Sequence, residues 1–358
     1  MTSPMDDLNK QQVFGGKLSV KLSNELIHLL SEQLYESPLK AVEELVINAY
    51  DADARNCNIF VPSPADTESD FVVIFDDGIG MTHEGLTNLW LVGRSNKRTT
   101  EVEISRKRKQ IGKFGIGKLA ASTIAERLTY ISRSSEGVLG VTIDFREFKD
   151  SDPSNMKTVT ADVYCIADWK RFAQSNSLAR NLSKAGVDFS SLVSKKPATW
   201  TLAYLDTLTD KGRKITQAQL QWVLSTAMPL KSDFRLYLND KSIASSKDNL
   251  DRLVDFELDA LVSRLRSLSN ATGEEWILSG KTLRSPSFPS GITGHVIVTD
   301  QSMANTKSED IARSHGFFVK VRERLVNYND PLFGLKALFH GTFNRFRADI
   351  QADDLDAS

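Results

Sequence analysis

Cysteine is nearly absent from the 358-residue chain: only Cys57 and Cys165 occur, which leaves no disulfide framework and fits a reducing compartment. The five histidines, His28, His83, His295, His315 and His340, never fall beside them at metal-ligand spacing, so no zinc site is implied. No apolar run approaches the ~18 residues of a membrane span, and the polar opening MTSPMDDLNKQQ lacks a signal-peptide core. Charge of either sign is in little excess. The formal net charge of −1 gives no general attraction to nucleic acid and leaves only local patches. These absences predict a cytoplasmic protein without membrane association. What is present, 41% hydrophobic and 25% charged residues, is ordinary for a globular chain, and the length predicts two domains.

The stretch 41–53, AVEELVINAYDAD, puts Glu44, Asn48, Asp51 and Arg55 at intervals of four, three and four residues, on one face of a helix. Val42, Leu45, Val46 and Ala49 gather opposite, where they would pack against a core. The polar face, with two carboxylates and an amide, is either a solvated surface or a site. Ser37 and Pro38 predict the start of this helix, serine as cap and proline in the first turn, and its end is expected near Asn56.

Elsewhere, residues 1–16 predict a flexible arm, 23–35 a helix, and 58–61, 71–75, 128–132, 138–145, 157–166 and 198–205 strands. Helices are predicted at 84–91, from near Lys118, within 169–182 and at 217–228, with a hairpin around Asn239 and Asp240. This order favours an α+β sandwich with helices on one face of a sheet. A domain over 17–248 is followed by a second over 249–358, where 253–268 has helical spacing. A polar loop then runs through Pro289, before strands at 292–298, 316–326 and 344–350. The ending ADDLDAS, so soon after a strand, is expected of a chain cut short.

The run FVVIF opens directly into Asp76, Asp77, Gly78, Ile79, Gly80 and Met81. A carboxylate at a strand exit can accept from an exocyclic amine, and glycines let backbone approach a flat ring. The same residues also make a plain tight turn. Gly112, Gly115 and Gly117 precede another helix start, whose free N–H groups suit a phosphate, although hinges use glycine too. Between these motifs the basic run Arg106, Lys107, Arg108, Lys109 is a solvated loop, a nucleic-acid patch or a targeting signal.

In this order, E-x-x-x-N-x-x-D-A, D-x-G-x-G and G-x-x-G-x-G resemble the GHKL ATPase superfamily of gyrase B, the ninety-kilodalton heat-shock chaperones, histidine kinases and MutL, over residues 20 to about 235. The resemblance implies a Bergerat-type α/β sandwich holding ATP and Mg²⁺ between helices and sheet, followed by a smaller transducer-like α/β domain. It implies Glu44 as general base for the attacking water and Asn48 as the Mg²⁺ ligand, with Asp51 on the same face. Asp76 matches the adenine-binding aspartate, with Gly78, Gly80 and Met81 against the base. Ser95 and Lys97 match the start of a lid over about 93–111. Gly112, Lys113, Phe114, Gly115, Ile116, Gly117 and Lys118 match the phosphate loop. Thr199 matches a threonine near adenine, although Ala198 stands where the family has glycine.

The wording EELVINAYDADA is nearer MutL and MORC proteins, and IGKFGIG nearer the chaperones, although Lys118 replaces the chaperones' aromatic residue. About 36 residues precede the key helix, too few for the dimerising phosphoacceptor helix of a kinase. The implied activity is Mg²⁺-dependent ATP binding with slow hydrolysis, driving ATP-gated homodimerisation around a DNA or protein partner, in DNA maintenance or phage defence. The alternatives are a nucleotide-binding adaptor without turnover and a chaperone-like ATPase acting on protein clients. Lys307, Arg322, Arg324, Arg345 and Arg347 are candidates for a second-domain base reaching the γ-phosphate.

Overall fold

All six residues of the strand Phe71–Asp76 are buried, which requires cover on both faces of its sheet. The computed structural model describes residues 3–15, 18–23, 37–89, 117–148, 156–193, 198–228, 234–243, 251–303, 315–322, 324–327 and 344–355. The chain divides into two units, residues 1–224 with 230–244, and residues 225–229 with 245–358. Among the described residues no helix is long and apolar enough to cross a membrane.

The strands of the first unit are β1 (Gln12–Val13), β2 (Leu18–Ser23), β3 (Asn56–Phe60), β4 (Phe71–Asp76), β5 (Ala125–Ser134) and β6 (Gly137–Asp144). They continue with β7 (Met156–Ala161), β8 (Tyr164–Cys165), β9 (Trp200–Leu208), β10 (Arg235–Leu238) and β11 (Lys241–Ile243). Nine of them form one sheet in the order β1-β8-β6-β5-β9-β4-β3-β10-β11, while β2 and β7 pair separately. The late strand β9 sits in the middle, antiparallel to β5 on one side and to β4 on the other.

Alternate residues divide the two faces. Phe71, Val73 and Phe75 of β4 and Trp200, Leu202 and Tyr204 of β9 meet Trp169, Phe172, Leu178 and Leu182 from the helices Trp169–Ser175 and Leu178–Lys184. Ile74, Asp76, Thr201 and Ala203 point the other way and line a cleft with the helix α1 (Pro38–Asp51). The α+β class holds, with helices on both faces rather than one.

The amino-terminal segment is no flexible arm. A 3-10 helix over Pro4–Lys10 buries Met5 and Leu8 in the aromatic core, and β1 extends the sheet by pairing with β8. Arg127 fixes it further by bridging Asp6 at 2.7 Å and Asp206 at 2.6 Å. Two apolar residues in a polar run are too weak a periodic signal to reveal this docking.

The helix α1 starts as expected at Pro38, but the Ser37 side chain makes no capping bond. It ends at Asp51, because Asp53 adopts φ +56° and Asn56 already opens β3. Arg55 therefore lies outside the helix and is exposed. A 3-10 helix over Gly117–Thr123 packs against α1. The expected single strand over 157–166 is two, β7 and β8, in different sheets.

The second unit is a seven-stranded sheet: β12 (Arg252–Glu257), β13 (Ile277–Ser279), β14 (Thr282–Ser285), β15 (Phe288–Thr299), β16 (Gly316–Val321), β17 (Arg324–Leu325) and β18 (Phe346–Ala352). The helix predicted over 253–268 is wrong at its start: β12 pairs with β15, and helical structure begins only at Leu258–Arg264 and Leu265–Thr272. The spacing of Leu253, Val254 and Phe256 fits either state, and cross-strand pairing decides it. The loop expected to reach Pro289 contains the β13–β14 hairpin.

Candidate nucleotide site

Helix α1 is buried around nearly its whole circumference, including Glu43, Glu44 and Asp51, so its polar face is not a solvated one. Glu43 is ion-paired with Lys40 at 2.6 Å, a contact within the helix. Glu44 stands one turn before Asn48, which lines the cleft together with Leu45 and Ala52.

The floor of the cleft comes from β4 and its exit turn. Asp76, 7% exposed, accepts a hydrogen bond on Oδ1 from the Gly78 N–H at 2.9 Å. Burial pushes its carboxyl up to about 7, the Gly78 bond opposes that, and Asp77 adds to it. Asp77 faces away. Its oxygens accept from the backbone N–H groups of Arg55 (2.7 Å) and Asn56 (2.8 Å) and from the Asn56 amide (2.6 Å), tying the turn to the segment after α1.

Both glycines of the turn are sterically required. A Cβ on Gly78 would lie 2.6 Å from the Ala52 carbonyl oxygen, and Gly80, at φ +71°, would place one 2.1 Å from that of Arg133. The adjacent acidic residues thus divide the work. Asp77 holds the turn and Asp76 faces the cleft.

Thr199 donates to the Gly78 carbonyl at 2.7 Å and so braces the turn. The threonine that lines the cleft is Thr201, with Tyr130, Ile74, Met81, Leu89 and Ala203. Sequence reasoning missed Thr201 and Tyr130. The alternation along β9 carries the signal once its register is known, because Asp76 stands directly opposite Thr201 and Thr201 opposite Ser132.

Gly117 and Lys118 open the 3-10 helix beside α1. Ser95, Lys97, Gly112, Lys113, Phe114, Gly115 and Ile116 lie outside the described residues, as does Lys107 with the rest of the basic run.

In the second unit Lys307 also lies outside them. Arg347 is buried, bonded to Asp349 at 3.0 Å and stacked over Phe318 at 4.0 Å, while Arg345 is exposed. Arg322 donates its backbone N–H to Asp353 at 2.6 Å, and Arg324 lies in β17.

The lining fits a nucleotide: a buried acceptor and a hydroxyl on the floor, apolar side chains around them and the Asn48 amide on the facing helix, while Glu44 and Asp51 are buried on that helix and do not line the cleft. Among the described residues no three His, Cys, Asp or Glu side chains gather as a metal cage. Mg²⁺ bound chiefly through phosphates and water needs none.

Residues 35–177 match the family model of the histidine kinase-, DNA gyrase B-, and HSP90-like ATPases. That segment contains α1, the Asp76 turn and Gly117, and through this match it is similar to the GHKL ATPases, an ATP-binding class. The chain is also similar to the chaperone protein HtpG of Shewanella pealeana, 29% identical over 147 residues, and to that of Shewanella oneidensis, 28% identical over the same length. Each alignment covers 36% of this chain and 23% of the relative, so the match spans about a quarter of the relatives' length.

Proposed function

We propose that the first unit binds ATP with Mg²⁺ and hydrolyses it slowly, and that contacts made only in the ATP state bring two copies together as a clamp on a macromolecular partner. The observation that supports this best is the buried Asp76 carboxylate facing a cleft beneath α1, within the matched segment. Asp76 accepts from the adenine amine, and Met81 and Ile74 lie against the base. Glu44, one turn before Asn48 on α1, orients and deprotonates the attacking water. The Asn48 side-chain oxygen holds Mg²⁺, with Asp51 beside it on the helix. When bound, the ion neutralises phosphate charge. Gly117 and Lys118, at the start of the 3-10 helix beside α1, take part in phosphate binding.

The test is phosphate release with ATP and Mg²⁺, paired with sedimentation in a non-hydrolysable ATP analogue. Turnover together with a shift to dimer supports the clamp. ATP binding without turnover in the full chain supports an adaptor, and an oligomeric state indifferent to the analogue at every protein concentration removes the gating.

The likeness to HtpG, named a chaperone, favours a second reading in which the partner is a protein client. Suppressed aggregation of an unfolded client protein would support it. Binding of duplex DNA that weakens with salt would instead support DNA maintenance or phage defence.

A further inference from the structure

Ser132 is fully buried behind the cleft floor and makes three polar contacts. The Met81 backbone N–H donates to its hydroxyl oxygen at 2.7 Å. Its own proton goes to the Trp200 carbonyl at 2.9 Å, since a carbonyl can only accept. The third partner is the Thr201 hydroxyl at 3.2 Å. A serine has one proton and two acceptor positions, so with the proton spent on Trp200, the Thr201 contact is made only if Thr201 donates. Thr201 also has a single proton. Turned toward Ser132, it leaves only lone pairs facing the cleft.

The neighbour of Thr201 across the β4–β9 ladder is Asp76, whose Oδ1 is already taken by Gly78. The floor therefore presents two acceptors side by side. We infer that Ser132 is a positioning residue that fixes the hydrogen-bond polarity of Thr201, so that the cleft selects a base edge bearing an amino group, adenine, over one bearing a carbonyl there, hypoxanthine or guanine. The inference rests on the proposal that the cleft takes a nucleotide, and deepens it by naming what sets the choice of base. Ser132 never touches the ligand itself. It also holds the Gly80–Met81 turn in place through the Met81 N–H.

The experiment compares equilibrium binding of ATP and inosine triphosphate, which differ at that edge, to the full chain and to Ser132→Ala, Ser132→Thr and Thr201→Val. The wild type should prefer ATP. In Ser132→Ala the Thr201 proton is released toward the cleft, and the preference should shrink about tenfold, mostly through weaker ATP binding. Ser132→Thr, which keeps the hydroxyl, should restore it. Thr201→Val should reduce the preference without disturbing Met81, which keeps the test decisive if Ser132→Ala fails to fold. Parallel loss of both nucleotides in the variants, with an unchanged ratio, would mean a merely structural role and overturn the inference. A wild type that binds neither nucleotide overturns the nucleotide-site proposal itself, and with it this refinement.

Discussion

The two faces of the nine-stranded sheet are made by alternate residues of the same strands, yet they bury opposite kinds of chemistry. Along β4 and β9 one face carries Phe71, Val73, Phe75, Trp200 and Tyr204, closed by helices and by the amino-terminal segment. Phe71 stacks on Tyr204 at 5.3 Å and Trp169 lies 4.8 Å from Trp200. The other face carries Asp76, Thr201 and Ser132, and α1 stands above it leaving a cleft. Burying an ionisable group is costly, and an apolar residue at position 76 would pack at lower cost. The first face maximises stability, and the second gives some of it up to keep a polar floor.

The comparison predicts that substitutions on the two faces separate function from folding. The largest effect is expected at Glu44→Ala, which should lower turnover by about 10²- to 10⁴-fold while ATP affinity holds. Single-turnover phosphate release beside equilibrium binding checks it, and retained turnover would remove Glu44 as the base. On the closed face, Trp200→Ala should cost about 3–5 kcal/mol in denaturant unfolding, with nucleotide affinity of the folded fraction little changed.

Asp76→Asn should do the reverse, abolishing ATP binding while stabilising the fold. Its folded value of about 7 is raised above the unfolded 3.8, so the native state holds the extra proton, and wild-type stability declines as pH climbs from about 4 to 7. The variant should thus gain on the order of 4 kcal/mol at pH 8 and nothing near pH 4, read from urea melts across pH. If the two melting series run parallel, the open face is not the strained one. The smallest effect is expected for Asp77→Ala, which frees the turn from Arg55 and Asn56. It should cost about 1–2 kcal/mol and weaken ATP binding only a few-fold.

The helix with Glu44 and Asn48, the FVVIF strand and the acidic turn after it were legible in the chain because periodicity and local turn chemistry are written over a few residues. Thr201 was not, and Thr199 stood in its place. Which threonine of ATWT reaches the cleft depends on the pairing of β9 with β4 and β5, strands more than sixty residues away in sequence. The docked amino-terminal segment was hidden for the same reason, since the partners of Met5 and Leu8 lie mostly beyond residue 130. β12 was misassigned because its apolar spacing fits either state; as a strand it leaves Leu253 and Val254 exposed, and only the pairing with β15 holds it extended.

The central place of β9 has a consequence for how the chain is made. The edges of β4 and β5 that face each other across the sheet are bridged by residues 200–208 alone. During synthesis β4 leaves the ribosome long before β9 exists, and at typical rates of about 5–20 residues per second the wait is on the order of ten seconds. For that interval FVVIF offers an unpaired, wholly apolar strand edge, a template for aggregation or for chaperone capture. Nascent chains truncated before residue 200 should accordingly be the most aggregation-prone, and those extended past 208 markedly less so.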